Sequence, residues 1–134
     1  MKKSILFSFV VTVLLILTSC GHVSGPADVA QSIVKAMNGG DFEYVVNHLA
    51  SSKTAVFTDK QKEEFKALFE SEKIAKALQE NGKLVSIKTD SEKIAEDGNT
   101  ATVDLTISYE SAGEKSESYK MTKIDNQWYA IMSK

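Results

Sequence analysis

The chain contains no arginine in its 134 residues. Arginine is the side chain that grips phosphate and carboxylate groups bidentately, so its absence weighs against a nucleotide-handling or phosphoryl-transfer enzyme. Cysteine occurs once, at Cys20, which excludes an intrachain disulfide. The two histidines, His22 and His48, lie far apart and have no second cysteine to join them. A dedicated metal site needs more ligands than that, so neither a metal nor a cofactor is expected. Basic excess is missing too: 16 lysines face 18 acids, for a net charge of −2. Nucleic-acid binding needs a basic face, and nothing here supplies one.

Charge and hydropathy are unevenly placed at the N-terminus. Lys2 and Lys3 precede an apolar run, Ile5 to Leu17, broken only by Ser8 and Thr12. A membrane-spanning helix needs about 20 apolar residues, and this run is shorter. Its length suits the apolar region of a secretory signal. Leu17-Thr18-Ser19-Cys20 then resembles the lipobox of bacterial lipoproteins: an aliphatic residue, two small residues and a cysteine. The resemblance implies cleavage between Ser19 and Cys20 and a diacylglycerol on the Cys20 thiol. Two or more acyl chains hold a protein at a membrane far more firmly than one. Gly21 is not an aspartate and no acidic cluster follows, which fits a lipid-anchored place on the periplasmic face of an outer membrane, where the host has one. The expected organisation is a signal over 1–19, the lipidated cysteine and a short tether over 20–25, and one domain over 26–134. Removing 19 of 134 residues leaves 115, enough to fold alone.

Within that domain the hydrophobic period is first helical. Pro26 suits the first turn of a helix, and Val29, Ile33 and Met37 recur at four-residue spacing up to Gly39-Gly40. Asp41 caps a second helix with Phe42, Val45, Val46 and Leu49 on its apolar face. Residues 50–57 read as a loop or short irregular strand. Thr58-Asp59-Lys60-Gln61 is a capping box, and the helix it opens is expected to run to Asn81-Gly82, burying Phe65, Leu68, Phe69, Ala75 and Leu78.

From Leu84 the period becomes two. A bulged strand is expected to Glu96 and a turn at Asp97-Gly98-Asn99. A cleanly alternating strand follows from Ala101 to Tyr109. A hairpin loop at Ser111-Ala112-Gly113 would pair Leu105 with Tyr119, Val103 with Met121 and Asp104 with Lys120. A turn at Asp125-Asn126 would pair Met121 with Ala130 and Tyr119 with Met132. Three helices followed by about four antiparallel strands make an α+β domain.

Four stretches carry a family resemblance. They are Pro26-Ala27-Asp28-Val29-Ala30, Asn38-Gly39-Gly40-Asp41-Phe42-Glu43, Gly98-Asn99-Thr100-Ala101-Thr102-Val103 and Lys123-Ile124-Asp125-Asn126-Gln127-Trp128-Tyr129. Their order over residues 26–133 resembles the nuclear-transport-factor-two-like (cystatin-like) superfamily, in its branch of small lipoproteins with a domain of unknown function. The resemblance implies a curved sheet wrapped around a long helix, with a cavity between them. Its members include isomerases, dehydratases and binding or assembly domains, so fold alone assigns no activity.

An isomerase of that superfamily needs a carboxylate base and hydrogen-bond donors facing the cavity. Tyr109 and Tyr119 are candidate donors, with Phe69 and Trp128 as further walls, but no acid joins them in the expected register. No catalytic residue is assigned. Tyr129 and Ile131 fall on the opposite sheet face, beside Lys120, Thr122 and Ile124, where large apolar groups mark a contact surface. The expected function is a membrane-anchored, non-catalytic binding or assembly lipoprotein. Its partner is a second copy or another envelope protein docked on that face. The alternative is a small-molecule pocket with weak isomerase or hydrolase activity.

Overall fold

The computed structural model describes residues 24–132. The signal, Ser19, Cys20 and most of the tether lie outside the described residues. Helix α1 (Pro26–Gly39) opens with proline, and Asp28 accepts a hydrogen bond from the Gly25 N–H at 3.3 Å. It ends at Gly40, whose φ of 82° places it in the left-handed region. Helix α2 (Phe42–Asn47) follows, and the Asp41 carboxylate caps it by accepting from the Tyr44 N–H at 3.1 Å.

The segment after α2 takes the second of its two expected forms, short irregular strand. Leu49–Ser52 forms β1 and Ala55–Val56 forms β2. Leu49 therefore belongs to a strand rather than to the helix face expected for it.

The single helix expected from Thr58 is two helices. Helix α3 (Asp59–Phe69) has the expected capping box: Thr58 Oγ1 accepts from the Gln61 N–H at 3.2 Å, and Gln61 Oε1 accepts from the Thr58 N–H at 2.9 Å. It stops at Glu70, and Ser71 starts helix α4 (Glu72–Asn81). The expected single apolar stripe does not run through the break: Leu68 is 51% exposed and Ala75 lies at the surface. No α4 residue is fully buried.

Strands β3 (Leu84–Ile94), β4 (Thr100–Tyr109), β5 (Gly113–Ile124) and β6 (Gln127–Ile131) form the expected antiparallel meander. The sheet holds six strands in the order β2-β1-β6-β5-β4-β3 and is mixed, because β1 runs parallel to β6 through Leu49↔Ala130 and Ala50↔Ile131. Met132 lies past the end of β6 and donates its N–H to the Ala50 carbonyl at 2.8 Å, so the expected ladder pair with Tyr119 does not form.

The β4–β5 register differs from expectation by two residues. Val103 faces Tyr119, Ala101 faces Met121 and Leu105 faces Glu117. The loop is Glu110-Ser111-Ala112, and Gly113 at φ 76° begins the return strand. A shift of two preserves parity, so every side chain keeps its expected face. Asp104 sits opposite Ser118 rather than Lys120. Asp125 and Asn126 at φ 50° and 67° make the two-residue turn between β5 and β6.

The helices pack on one face of the curled sheet. Val29, Ala30, Ile33 and Val34 of α1 meet Val103, Leu105, Ile107 and Met121, the last four each at 0–1% exposure. Glu92 of β3 pins the start of α1 by accepting from the Ala27 N–H at 2.9 Å.

Candidate functional site

The inner face of the sheet does not close completely against the helices. A hollow of about 240 Å³ remains between α1, α4 and the strands β4 and β5. Its apolar walls come from Ile33, Val34 and Met37 of α1, Val45, Leu49, Leu78 of α4, and Ile107. Polar groups enter from Asn38, Asn81, Tyr109, Glu117 and Tyr119. Apolar walls with a few convergent polar groups are the usual composition of a ligand pocket.

The chemistry is concentrated on β5. Tyr119 Oη donates to Glu117 Oε1 at 2.8 Å. Burial, and second the negative charge of Glu117, push the Tyr119 phenol above the usual tyrosine range. The phenol therefore stays protonated and serves as a donor. Glu117 is exposed and stands at the rim, with its remaining lone pairs open to a donor from a guest. Helix α4 forms the opposite lip. Asn81 Oδ1 accepts from Lys115 Nζ at 2.9 Å, and the Asn81 carbonyl takes the N–H groups of Ser111 and Ala112, both at 3.0 Å. A Cβ on Gly82 would meet Ser111 Oγ at 2.7 Å, so only glycine permits this close seam between α4 and the β4–β5 hairpin.

Of the four pocket residues expected from sequence, Tyr109 and Tyr119 line this cavity and the other two do not. Phe69 sits in an aromatic cluster, its ring tilted and 6.0 Å from those of both Phe42 and Phe65. Trp128 borders a separate hollow of about 230 Å³ with Ser24, Tyr44 and His48. There the Tyr44 and His48 rings stack at 3.9 Å, and His48 Nδ1 lies 2.8 Å from the Tyr44 carbonyl. The residue missed by sequence is Glu117. The expected register placed Leu105 against Tyr119 and moved Glu117 out of the reckoning. Its two-residue spacing from Tyr119 was the available signal, since such residues share a face.

Tyr129 and Ile131 lie on the outer face as expected, and both are half-buried. Among the described residues no cluster of three or more His, Cys, Asp and Glu comes together, and no helix is long and apolar enough to cross a membrane.

The model of the domain of unknown function DUF4878 matches residues 18–131. The chain belongs to the DUF4878 family. No curated protein matches it by sequence. A candidate NTF2-like transpeptidase from Campylobacter jejuni is similar in structure, with a TM-score of 0.63 at 19% identity, covering 82% of this chain and 100% of that one. A SEC-C motif containing protein from Rhodopseudomonas palustris matches at a TM-score of 0.55 and 18% identity, covering 87% of this chain and 82% of that one. At such identities the likeness is one of fold: this DUF4878 domain has the NTF2-like architecture of helices on a curled sheet.

Proposed function

We propose that this DUF4878 domain is a lipid-anchored binding protein of the bacterial envelope whose cavity takes a small, mostly apolar molecule with one hydrogen-bond-donating end. The observation that carries the reading is the Glu117–Tyr119 pair at the mouth of a mostly apolar hollow of about 240 Å³. An apolar guest would gain by leaving water, at about 25 cal/mol per Å² of surface covered. Its polar end would be fixed by Glu117 as acceptor, with the Asn81 amide group as a neighbouring donor.

Binding without turnover is favoured over catalysis by the exposure of Glu117. Water reaches such a carboxylate freely, whereas a catalytic site excludes it. The lipid anchor rests on the resemblance of Leu17-Thr18-Ser19-Cys20 to a lipobox.

Indole tests the cavity, since it has an apolar body and one N–H. Titrated into the isotope-labelled chain, it should give saturable amide shifts confined to Ile33, Leu78, Ile107 and Tyr109. Shifts spread over the surface, or none, would rule the pocket out.

A further inference from the structure

A second hollow, of about 360 Å³, opens on the outer face of the sheet, away from the cavity. Three lysines line it: Lys53, Lys93 and Lys120. No acid lines it. The lysines are not scattered by chance along loops. Lys93 faces Thr102, and Thr102 faces Lys120, so the two ammonium groups sit in one cross-strand row with a threonine between them. The third comes from the β1–β2 turn, which is fastened over the same face. Thr122, only 1% exposed, donates its hydroxyl to the Lys53 carbonyl at 2.6 Å. Among the described residues none of the three lysines takes part in an ion pair. Asp104, two residues along β4 from Thr102, shares the face and feels the Lys93 charge. It is engaged by Ser91 at 2.8 Å, and hydrogen bonds from Ser118 and Ser91 hold its carboxyl below the usual range.

We infer that this hollow binds a phosphate-bearing lipid headgroup, with Lys53, Lys93 and Lys120 around the phosphate and Ile131 against the apolar part. Three point charges and the hydroxyls of Thr100 and Thr102 suit a compact anion. Lysine serves such a site without the bidentate geometry that only arginine gives. Ile131, half-buried, supplies the apolar wall.

Position argues for a headgroup at the membrane. The described chain begins at this end of β3, where the Ala27 N–H meets Glu92; Glu92 faces Val103 on the inner side, and its neighbour Lys93 faces Thr102 on the outer side. The start of α1 is therefore at the same edge strand as Lys93, on the other side of it. A lipid on Cys20, seven residues before Ala27, would keep this end of the sheet close to the headgroups. The membrane arm of this inference rests on the envelope attachment proposed above; the phosphate site does not.

The test uses the full chain in neutral detergent and two probes. Glycerol phosphate, which needs no membrane, should shift the amides of Thr100, Thr102 and Lys120 saturably. Vesicles containing phosphatidylglycerol should bind the chain more tightly than phosphatidylcholine vesicles at low salt, and added salt should erase the difference. Lys93→Gln with Lys120→Gln should weaken vesicle binding about thirty-fold, from the worth of two cations at an anionic surface. Both lysines are exposed, so the double variant should melt within a few degrees of the parent. No response to glycerol phosphate would overturn the site whether or not the chain is lipidated. Undiminished vesicle binding by the double variant, or equal binding to both vesicles, would overturn the headgroup assignment.

Discussion

Tyr119 donates its hydroxyl to Glu117 across 2.8 Å, from the next position on the same face of β5. The pair is local in sequence but stands at the mouth of a cavity built from non-local elements. A guest with a donor group should exploit the Glu117 carboxylate, and one without it should not. Indole is therefore expected to bind more tightly than indene, which has the same shape without the N–H. Glu117→Gln should narrow that preference about fivefold, the worth of one partly exposed hydrogen bond to a charged acceptor. Calorimetric titration of both compounds into both proteins checks it.

The same pair has a pH consequence. Burial and the Glu117 charge hold the Tyr119 phenol above its ordinary value. An unfolded tyrosine ionises near pH ~10. Below that pH both states keep the proton, so the folded state's preference for the neutral phenol is fully present. As pH rises beyond it, the unfolded state sheds a proton that the folded state retains, and stability falls. Urea midpoints measured above pH ~10 should drop more steeply for the parent than for Tyr119→Phe, the other ionising groups being common to both.

Two helix starts of similar sequence should respond oppositely to alanine. Thr58 makes its capping hydrogen bond, so Thr58→Ala should cost about 1 kcal/mol. Ser71 begins α4 without a side-chain cap, and its Oγ is buried with no partner among the described residues. Ser71→Ala removes an unsatisfied group and should be neutral or stabilising by up to about 1 kcal/mol. Thermal melts of the two variants distinguish them.

What the sequence made legible follows from how locally each feature is encoded. The alternation from Ala101 to Tyr109 and the Asp125-Asn126 turn are written in adjacent residues, and both are found. The β4–β5 register depends on where a loop closes, and two choices of equal parity leave the same residues facing the core. Leu105 against Glu117 is the less obvious pair until Glu117 is seen to stand at a cavity rim rather than inside the core. The break at Glu70-Ser71 carries neither glycine nor proline. The parallel contact of Leu49 with Ala130 joins segments about eighty residues apart, and no local signal marks it. Of the candidate pocket, Tyr109 and Tyr119 could be placed by period alone. Phe69 could not, because the helix that carries it ends earlier than its apolar spacing suggests.

The envelope assignment has its own test. Cys20→Ser should abolish incorporation of labelled palmitate and release the protein from the membrane fraction. Unchanged labelling would remove the lipid anchor from the account.

The most direct measurement of the central claim is diffraction from crystals of the protein under xenon pressure. Xenon enters apolar hollows without needing a hydrogen bond. The account predicts a xenon peak bounded by Ile33, Leu78 and Ile107, behind the Tyr119 hydroxyl. An empty position there, with those side chains packed into contact, would contradict it.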